Sequence, residues 1–329
     1  MVVHLKKFDV TALGELLVDF TMNGVSGQGN PLFEANPGGA PCNVLSMLQR
    51  LGKQTAFLGK VGRDSFGEML KKTVQEQGID ISGLVMDEEV PTTLAFVHTA
   101  PDGDRSFSFY RSPGADMMLK KEETEISFLQ NTRIFHFGSL SMTDEGIEAT
   151  TKMAVETAKK AGAFLSFDPN LRPPLWKSLD IAKEKIAYGI SQCDILKISD
   201  DEILFFTGAS DIDEGVAKIQ EKFHTPLIFA TMGKEGSRAY YHDSRVICGP
   251  FVNRNTVETT GAGDTFMACV LNGVLDYGME GLTKQRLYGM LEFANAAASL
   301  ITTKKGALKV MPEEKEVQDF IQSRKGCGA

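Results

Sequence analysis

Apolar stretches of strand length recur along the chain, with helical segments between them. The strand-like stretches lie at residues 8–14, 55–61, 133–138, 164–168, 194–198 and 227–231. Apolar stripes of helical period lie at residues 44–51, 64–78, 144–161, 178–191, 200–207, 213–223, 267–275, 283–302 and 313–324. This order predicts an α/β fold: a doubly wound, mostly parallel sheet with helices on both faces and right-handed crossovers. Ligands bind to such sheets at the carboxyl ends of the strands.

Two segments with strand character interrupt this alternation. Residues 92–111 alternate apolar and polar side chains around an Asp-Gly turn, which predicts a β-hairpin. Residues 23–36 are rich in Gly, Asn, Ser and Gln, which indicates a hairpin or a mobile loop. We expect a single domain over 1–329, with a small β-sheet lid formed from about 15–36 and 90–115. The open edges of that lid also favour a homodimer that pairs through it.

Composition and charge narrow the class of protein. Hydrophobic residues make up 42% and charged residues 24% of the chain, which is normal for a soluble globular protein. The net charge of −8 argues against a general binder of nucleic acid or of anionic membranes, whose surface is basic. The five cysteines form no CxxC motif, which predicts reduced thiols and no structural zinc. No stretch reaches the ~18 apolar residues of a membrane helix, so we predict a cytoplasmic protein.

The strongest candidate site is the sequence TTGAGD at 259–264, a glycine turn that leads into a helix. The small residues Gly261, Ala262 and Gly263 leave backbone N–H groups bare at the helix N-terminus, where the helix dipole favours an anion. Asp264 stands in the first turn of the same helix. A proton acceptor beside an anion hole is what phosphoryl transfer to an alcohol needs. The alternative is that Asp264 only complements the dipole and the glycines only turn the chain.

Three further positions are candidates for binding a ligand. The paired glycines Gly38 and Gly39, in GGAPCN at 38–43, let a ligand approach the backbone at a helix start. Asp19 lies in an apolar extended segment, where a charge is costly to bury without a partner. It is either a ligand-binding carboxylate or a solvated edge residue. Arg172, in DPNLRPPLW, is a permanently charged donor suited to phosphate or polyol oxygens, unless it is a surface residue after a Pro-rich turn.

Several common enzyme motifs are absent from the sequence, and the motifs that are present converge on one family. There is no P-loop, no GxGxxG after a strand, no HExxH and no GxSxG. GGAPCN and TTGAGD, in this order and at this separation, resemble the paired signatures of the ribokinase-like (PfkB) carbohydrate kinases. The resemblance covers nearly the whole chain. It implies a ribokinase-like fold and the use of ATP and Mg²⁺.

The resemblance also implies a role for each matching residue. Asp264 would be the catalytic base, and the amides of Gly261, Ala262 and Gly263 would stabilise the transferring phosphoryl group. The predicted sugar contacts are Asp19, Gly38, Gly39, Asn43 and Arg172, with the lid residues Arg105 and Phe107. The predicted ATP contacts are Lys197, Thr231, Gly233, Gly236 and Asn295.

Two motifs concern metal ions. Ser199 and Glu202 form a capping-box pattern, so helix stability alone explains them. The family carries an acid at this position that orders water around Mg²⁺, which implies that role for Glu202, although Ser199 replaces the family's Asn. Glu258 stands where the family most often has Asp in a loop that binds a monovalent cation. With Thr260 and Gly306, it implies a K⁺ site.

The choice of sugar rests on three segments. DPNLRPPLW, FHFGSL at 135–140 and the Phe/Tyr-rich residues 105–111 most resemble fructokinases, which implies fructose as substrate and fructose 6-phosphate as product. The nearest alternative is a 2-keto-3-deoxygluconate kinase, whose carboxylate substrate needs a further cation that Arg105 or Arg111 would supply. Another sugar or nucleoside kinase of the same fold also remains. A non-catalytic sugar-sensing homologue would be expected to lose Asp264 or the glycine turn, and both are intact.

Overall fold

The computed structural model describes residues 6–99, 105–253 and 255–326, and these contain one large and one small sheet. The large sheet, called the main sheet below, has the order β13-β12-β11-β10-β9-β8-β1-β4-β5 within the described residues. Its strands are β1 (Phe8–Leu13), β4 (Thr55–Gly62), β5 (Asp80–Asp87), β8 (Thr132–Gly138), β9 (Phe164–Asp168), β10 (Ile195–Ser199), β11 (Leu227–Thr231), β12 (Ser237–Tyr241) and β13 (Ser244–Cys248). All pairs from β11 to β5 are parallel, and β12 and β13 add antiparallel strands at one edge.

The small sheet comes from the two segments that interrupt the alternation in the sequence. Its strands, in the order β3-β2-β6-β7, are β2 (Leu17–Val25), β3 (Pro31–Gly38), β6 (Leu94–Thr99) and β7 (Arg105–Tyr110). β2 pairs antiparallel with β3, and β6 pairs antiparallel with β7, as two hairpins would. β2 and β6 join the hairpins in parallel. The Asp-Gly turn at 101–104 lies outside the described residues.

The helices form two layers, one on each face of the main sheet. One layer contains α1 (Ala40–Arg50), α2 (Ser65–Glu76), α8 (Ala262–Tyr277), α9 (Lys284–Ile301) and α10 (Glu314–Gly326). The other contains α3 (Ile126–Gln130), α4 (Glu145–Lys160), α5 (Leu179–Gln192), α6 (Asp200–Thr207) and α7 (Ile212–Phe223). Each layer packs against its own hydrophobic core, so the parallel strands are buried on both faces. The predicted α/β fold class is confirmed.

The carboxyl ends of four neighbouring strands meet at one edge of the main sheet. Glu15, Ser139, Asp168 and Ser199 stand at or just after the ends of β1, β8, β9 and β10. α1 and α8 begin at the same edge, because the residues that start them contact one another there. No helix in the described part of the chain is long and apolar enough to cross a membrane.

Candidate active site

The two signature motifs meet at the N-terminus of α8. Gly261 caps this helix with a φ of 78°, and a Cβ at this position would lie 2.7 Å from the Cβ of Ala307. Only glycine therefore makes this turn without strain. Asp264 follows in the first turn of α8, and its Oδ2 accepts a hydrogen bond of 2.8 Å from Nδ2 of Asn43 in α1. A contact across 221 residues thus joins GGAPCN to TTGAGD.

The Gly38-Gly39 turn lets Asp19 approach the same place. Gly39 has a φ of 122°, and a Cβ there would collide with the carbonyl oxygen of Glu15. A Cβ at Gly38 would collide with the carboxylate of Asp19. The two glycines therefore hold β2 and β3 against the start of α1. This contact explains why the motif requires both of them.

Asp19 interacts with charges from three other parts of the site. Burial raises the pKa of Asp19 to about 7. The positive charge of Arg172 opposes this shift, and the negative charges of Glu258 and Asp264 add to it. The fold thus brings the predicted sugar ligands Asp19 and Arg172 close to the predicted base.

A buried ion pair lies between these residues and the nucleotide side. Nζ of Lys197 is 3.0 Å from Oδ2 of Asp168, and both side chains are less than a tenth exposed. Burial raises the pKa of Asp168 to about 6, although the Lys197 charge opposes the shift. A Cβ at Gly263 would lie 3.1 Å from Nζ of Lys197, so the ammonium group stands against the α8 N-terminus. Burial would lower the pKa of Lys197, but the surrounding carboxylates, chiefly Asp168, raise it.

A cavity of about 620 Å³ opens on the other side of this ammonium group. Its lining includes all the predicted ATP contacts: Lys197, Thr231, Gly233, Gly236 and Asn295. Ala262 and Gly263 form one end of it, so the cavity reaches the anion turn of α8. The amide of Ala262 donates to the carbonyl of Thr259 at 3.3 Å. The volume is within the usual range for a small-molecule site.

Asn295 forms part of the wall of that cavity. Its Oδ1 accepts from the hydroxyl of Ser237 at 2.9 Å, and its Nδ2 donates to the carbonyl of Gly249 at 3.1 Å. These bonds tie α9 to the antiparallel edge of the main sheet. The side-chain amide of Asn295 therefore has a structural function in the cavity wall, independent of its predicted contact with ATP.

The two predicted metal groups are each brought together by the fold. Glu202 accepts hydrogen bonds from the backbone and hydroxyl of Ser199 and, at 2.7 Å, from the amide of Leu171. It thereby ties α6 to the loop that carries Arg172. Glu258 accepts from the hydroxyl of Thr260 at 2.5 Å and from the amide of Gly306 at 3.2 Å. The Mg²⁺ and K⁺ roles of these groups stay predictions.

The arginines that were considered for contacts with the substrate are Arg105, Arg111 and Arg172, and they lie in different parts of the structure. Arg172 contacts the carbonyl of Leu171 at 3.2 Å, and its charge acts on Asp19, as described above. Arg105 and Phe107 lie on β7, opposite Thr99 and Val97 in the backbone register. The side chains of these two residues lie outside the part of the structure that is described.

Arg111 is buried inside the protein. Its guanidinium group makes an ion pair of 2.7 Å with Asp116 and donates to the carbonyl of Leu140 and the hydroxyl of Thr143. Nε, Nη1 and Nη2 all donate to protein acceptors, and the side chain is 3% exposed. Arg111 is therefore not the additional cation that a carboxylate substrate would need.

A family model described as "pfkB family carbohydrate kinase" matches residues 7–314. The chain belongs to this family. This carbohydrate kinase is similar to probable fructokinase-4 of Arabidopsis thaliana, at 39% identity over 95% of this chain and 96% of the relative. Its fold is similar to that of Xylella fastidiosa fructokinase with bound ATP, with a TM-score of 0.87 and 29% identity over 96% and 99% of the two chains. A double-mutant fructokinase of Vibrio cholerae O395, solved with fructose, ADP and a potassium ion, has a TM-score of 0.86 and 28% identity over 97% and 100%.

Two buried polar groups of this kinase escaped the sequence-based prediction. Oε1 of Glu15 accepts from the amide of Ala40 at 2.9 Å, and burial raises the pKa of Glu15 to about 7. Burial and the Lys197 charge lower the pKa of His136 to about 3, so its ring is neutral. Both side chains line a small chamber with Asp168. Glu15 could have been identified because it is a polar residue just after the carboxyl end of a parallel strand, whereas His136 lies within β8.

Proposed function

We propose that this carbohydrate kinase is a cytoplasmic, ATP-dependent fructokinase, which phosphorylates the C6 hydroxyl of D-fructose to give D-fructose 6-phosphate and ADP. The observation that carries the proposal is the contact between Asn43 and Asp264 at the α8 N-terminus, beside a nucleotide-sized cavity. Full-length similarity to proteins named fructokinases supports the choice of sugar. The buried free thiols suit a reducing compartment.

In the proposed mechanism, Asp264 is the general base. Its carboxylate takes the proton of the sugar hydroxyl while the hydroxyl oxygen bonds to the γ-phosphorus and the bond to the bridging oxygen of ADP breaks. Burial raises the pKa of Asp264 above its ordinary value, which makes the carboxylate a better proton acceptor. The Asn43 amide and the charges of Lys197 and Arg172 oppose that shift and favour the ionised form. The α8 N-terminus and Lys197 would stabilise the charge on the phosphoryl oxygens.

Glu202 is the residue that would hold Mg²⁺, through water. Its Oε1 accepts one hydrogen bond, from Leu171, and a carboxylate oxygen has two lone pairs, so the donor set has room for a water. Magnesium in such sites keeps several waters and uses one or two carboxylates with the substrate phosphates. When bound, it would neutralise phosphate charge.

The K⁺ site is proposed at the loop of Glu258, Thr260 and Gly306. The Vibrio cholerae relative was solved with a potassium ion, and the loop of this chain is held together by the Glu258 carboxylate. We expect K⁺ to raise kcat over Na⁺ at constant ionic strength. Equal rates in the two salts would remove this part of the proposal.

A homodimer through the small sheet is the proposed assembly. The ring of Phe96 contacts the rings of Phe20, Phe33 and Tyr110, one from each of the other three strands, with centroids 4.8–5.5 Å apart. Phe33 and Tyr110 are 40% and 65% exposed. An aromatic face of this kind is typical of a protein interface. A second copy of the chain is the partner we propose for it.

The test of the proposed function is an ADP-release assay over five acceptors. We expect the highest kcat/KM for fructose, with 2-keto-3-deoxygluconate, ribose, adenosine and fructose 6-phosphate below it, because specificity is a ratio of these values. The engagement of Arg111 with Asp116 disfavours 2-keto-3-deoxygluconate in particular. A higher ratio for that acid would overturn the choice of sugar, and no turnover on any acceptor would favour the non-catalytic homologue.

A further inference from the structure

One buried carboxylate holds both ends of the β6–β7 hairpin. Asp116 lies in a short 3-10 helix, Ala115–Met118, that follows the small sheet. Its Oδ1 accepts from the hydroxyl of Thr93, the residue before β6, at 2.5 Å. Its Oδ2 accepts from Nε of Arg111, the residue after β7, at 2.8 Å. The side chains of Asp116 and Arg111 are 2% and 3% exposed.

The packing around this carboxylate leaves no room for a looser arrangement. A Cβ at Gly114 would collide with the hydroxyl of Thr93, and it would lie 2.9 Å from Oδ1 of Asp116. The same atom would lie 3.1 Å from Cγ of Arg111. The chain therefore has a glycine where it passes between the two ends of the hairpin. We call Thr93, Arg111, Gly114 and Asp116 the hairpin clamp.

The hairpin clamp joins Asp19 to the main sheet. The carbonyl oxygen of Thr93 accepts from the amide of Val18, at 3.2 Å, one residue before Asp19 in β2. On the other side, Arg111 donates to the carbonyl of Leu140 at 3.0 Å, in the turn after β8. Hydrogen bonds thus run from the turn at the end of β8, through Asp116, to the strand that carries Asp19.

We propose that Asp116 is a positioning residue for sugar binding, which acts through Thr93 to hold Asp19 in place over the main sheet. The inference rests on the proposed function, in which Asp19 binds the sugar. A buried ion pair adds little net stability, but it disfavours every arrangement in which one of its charges loses its partner. The ion pair therefore favours the arrangement in which both ends of the hairpin lie against Asp116.

The test uses a pair of substitutions that differ by one hydroxyl. Thr93→Val keeps the shape of the side chain and leaves Oδ1 of Asp116 without its donor, whereas Thr93→Ser keeps the donor. If the Val variant holds the small sheet in place about a tenth of the time, KM for fructose rises about tenfold. We expect kcat and KM for ATP to stay near wild type, and Thr93→Ser to restore KM for fructose.

A second clamp variant and a matched control distinguish an effect of the hairpin clamp from a general loss of stability. Arg111→Lys keeps the charge but loses the planar fork, and should raise KM for fructose in the same way. Glu148→Gln removes ion pairs with Lys152 and Lys185, which join α4 and α5 and include no residue of the hairpin clamp, and should leave KM unchanged. An unchanged KM in both clamp variants, or an equal rise in Thr93→Ser or Glu148→Gln, would overturn the proposal.

A measurement without sugar separates this inference from the proposed function. Amide hydrogen exchange in β6 and β7 should be faster in Thr93→Val than in Thr93→Ser, because the ends of the hairpin are less constrained. Equal exchange in the two variants would overturn the clamp whatever the enzyme phosphorylates. Failure of the wild-type protein to phosphorylate fructose would instead overturn the proposed function. The hydrogen-exchange result would then still test whether the clamp holds the hairpin.

Discussion

At the scale of single residues, the site holds acids that are costly to keep ionised. Burial raises the pKa of Asp19 and Glu15 to about 7 and that of Asp168 to about 6. A folded pKa above the unfolded value means that the native state binds more protons between the two values. Stability therefore falls as the pH rises through that window. Burial of the proposed sugar ligand Asp19 therefore lowers the stability of the folded protein at neutral pH.

Asp19→Asn should therefore stabilise the protein at neutral and higher pH while it weakens sugar binding. The gain in the free energy of unfolding should grow as the pH rises from 3.8, the ordinary pKa of an aspartate, to about 7, and then stay constant. Each unit of pKa shift corresponds to about 1.4 kcal/mol, so a gain of at least that size is expected at pH 8. Urea unfolding at several pH values measures it.

The matched control is Asp243→Asn, since Asp243 is an exposed residue between two edge strands. The gain of Asp19→Asn is measured relative to this variant at each pH, which removes the effect of the Asp-to-Asn exchange itself. A gain for Asp19→Asn that is the same at every pH, or a loss of stability at pH 8, would contradict the assigned cause of the shift.

Residues that belong to a motif were predictable, and residues that support a motif were not. Asn43 and Asp264 each stand beside a glycine turn, and the structure brings them together. Glu15 and Asp116 belong to no motif, and their partners Ala40 and Thr93 are 25 and 23 residues away in the sequence. Such contacts depend on how the two sheets are placed, which no local pattern contains.

At the scale of elements, α8 has a glycine with a positive φ at each end, and we expect the two to have different functions. Gly261 precedes the helix with a φ of 78° and a ψ of −3°, and Gly278 follows it with a φ of 67° and a ψ of 157°. Alanine at 261 must adopt the left-handed helical conformation, at a cost of roughly 1–2 kcal/mol, and alanine at 278 must adopt an extended conformation that is open essentially to glycine alone. We expect Gly261→Ala to lower kcat by at least about a hundredfold, as the loss of an anion-hole donor does. Gly278→Ala should lose stability but keep its kcat.

Steady-state kinetics and thermal unfolding of the two variants check this prediction. A Cβ at 278 has no atom within 4 Å, whereas one at 261 would lie 2.7 Å from the Cβ of Ala307. Gly261→Ala therefore has a steric cost and Gly278→Ala has the larger backbone cost, so both variants should lose stability. Similar kcat values in the two variants would show that the α8 turn is only a helix start.

The sequence pattern predicted the long elements better than the short and the peripheral ones. β5 was missed because it is an edge strand of the main sheet, mostly half-buried, so it lacks the continuous apolar run of the central strands. α3 has five residues, which is too short to show a helical period. α1 begins at Ala40, four residues before its apolar stripe, because Gly39 and Pro41 set the helix start.

At the scale of the whole molecule, the small sheet has one face toward the site and an aromatic face of its own. If that aromatic face is a dimer interface, the particle mass should be twice the chain mass of 35.9 kDa. Phe33→Ser with Tyr110→Ser should shift the equilibrium to the monomer, because both rings are exposed in the single chain. Sedimentation equilibrium measures this. Phe164→Ser, at a 42% exposed position on β9, is the control and should leave the mass unchanged.

The central claim is that Asp264 takes the proton of the sugar hydroxyl, and one substitution tests it most directly. Asp264→Asn keeps the size of the side chain but cannot accept the proton. We predict that kcat falls by roughly 10²–10⁴, the usual contribution of a positioned base. Calorimetry should still detect binding of fructose and of ATP, since the residues that line their sites are unchanged. A folded Asp264→Asn variant with a kcat near that of wild type would contradict the account, and would leave Asp264 as an acid that only stabilises the start of α8.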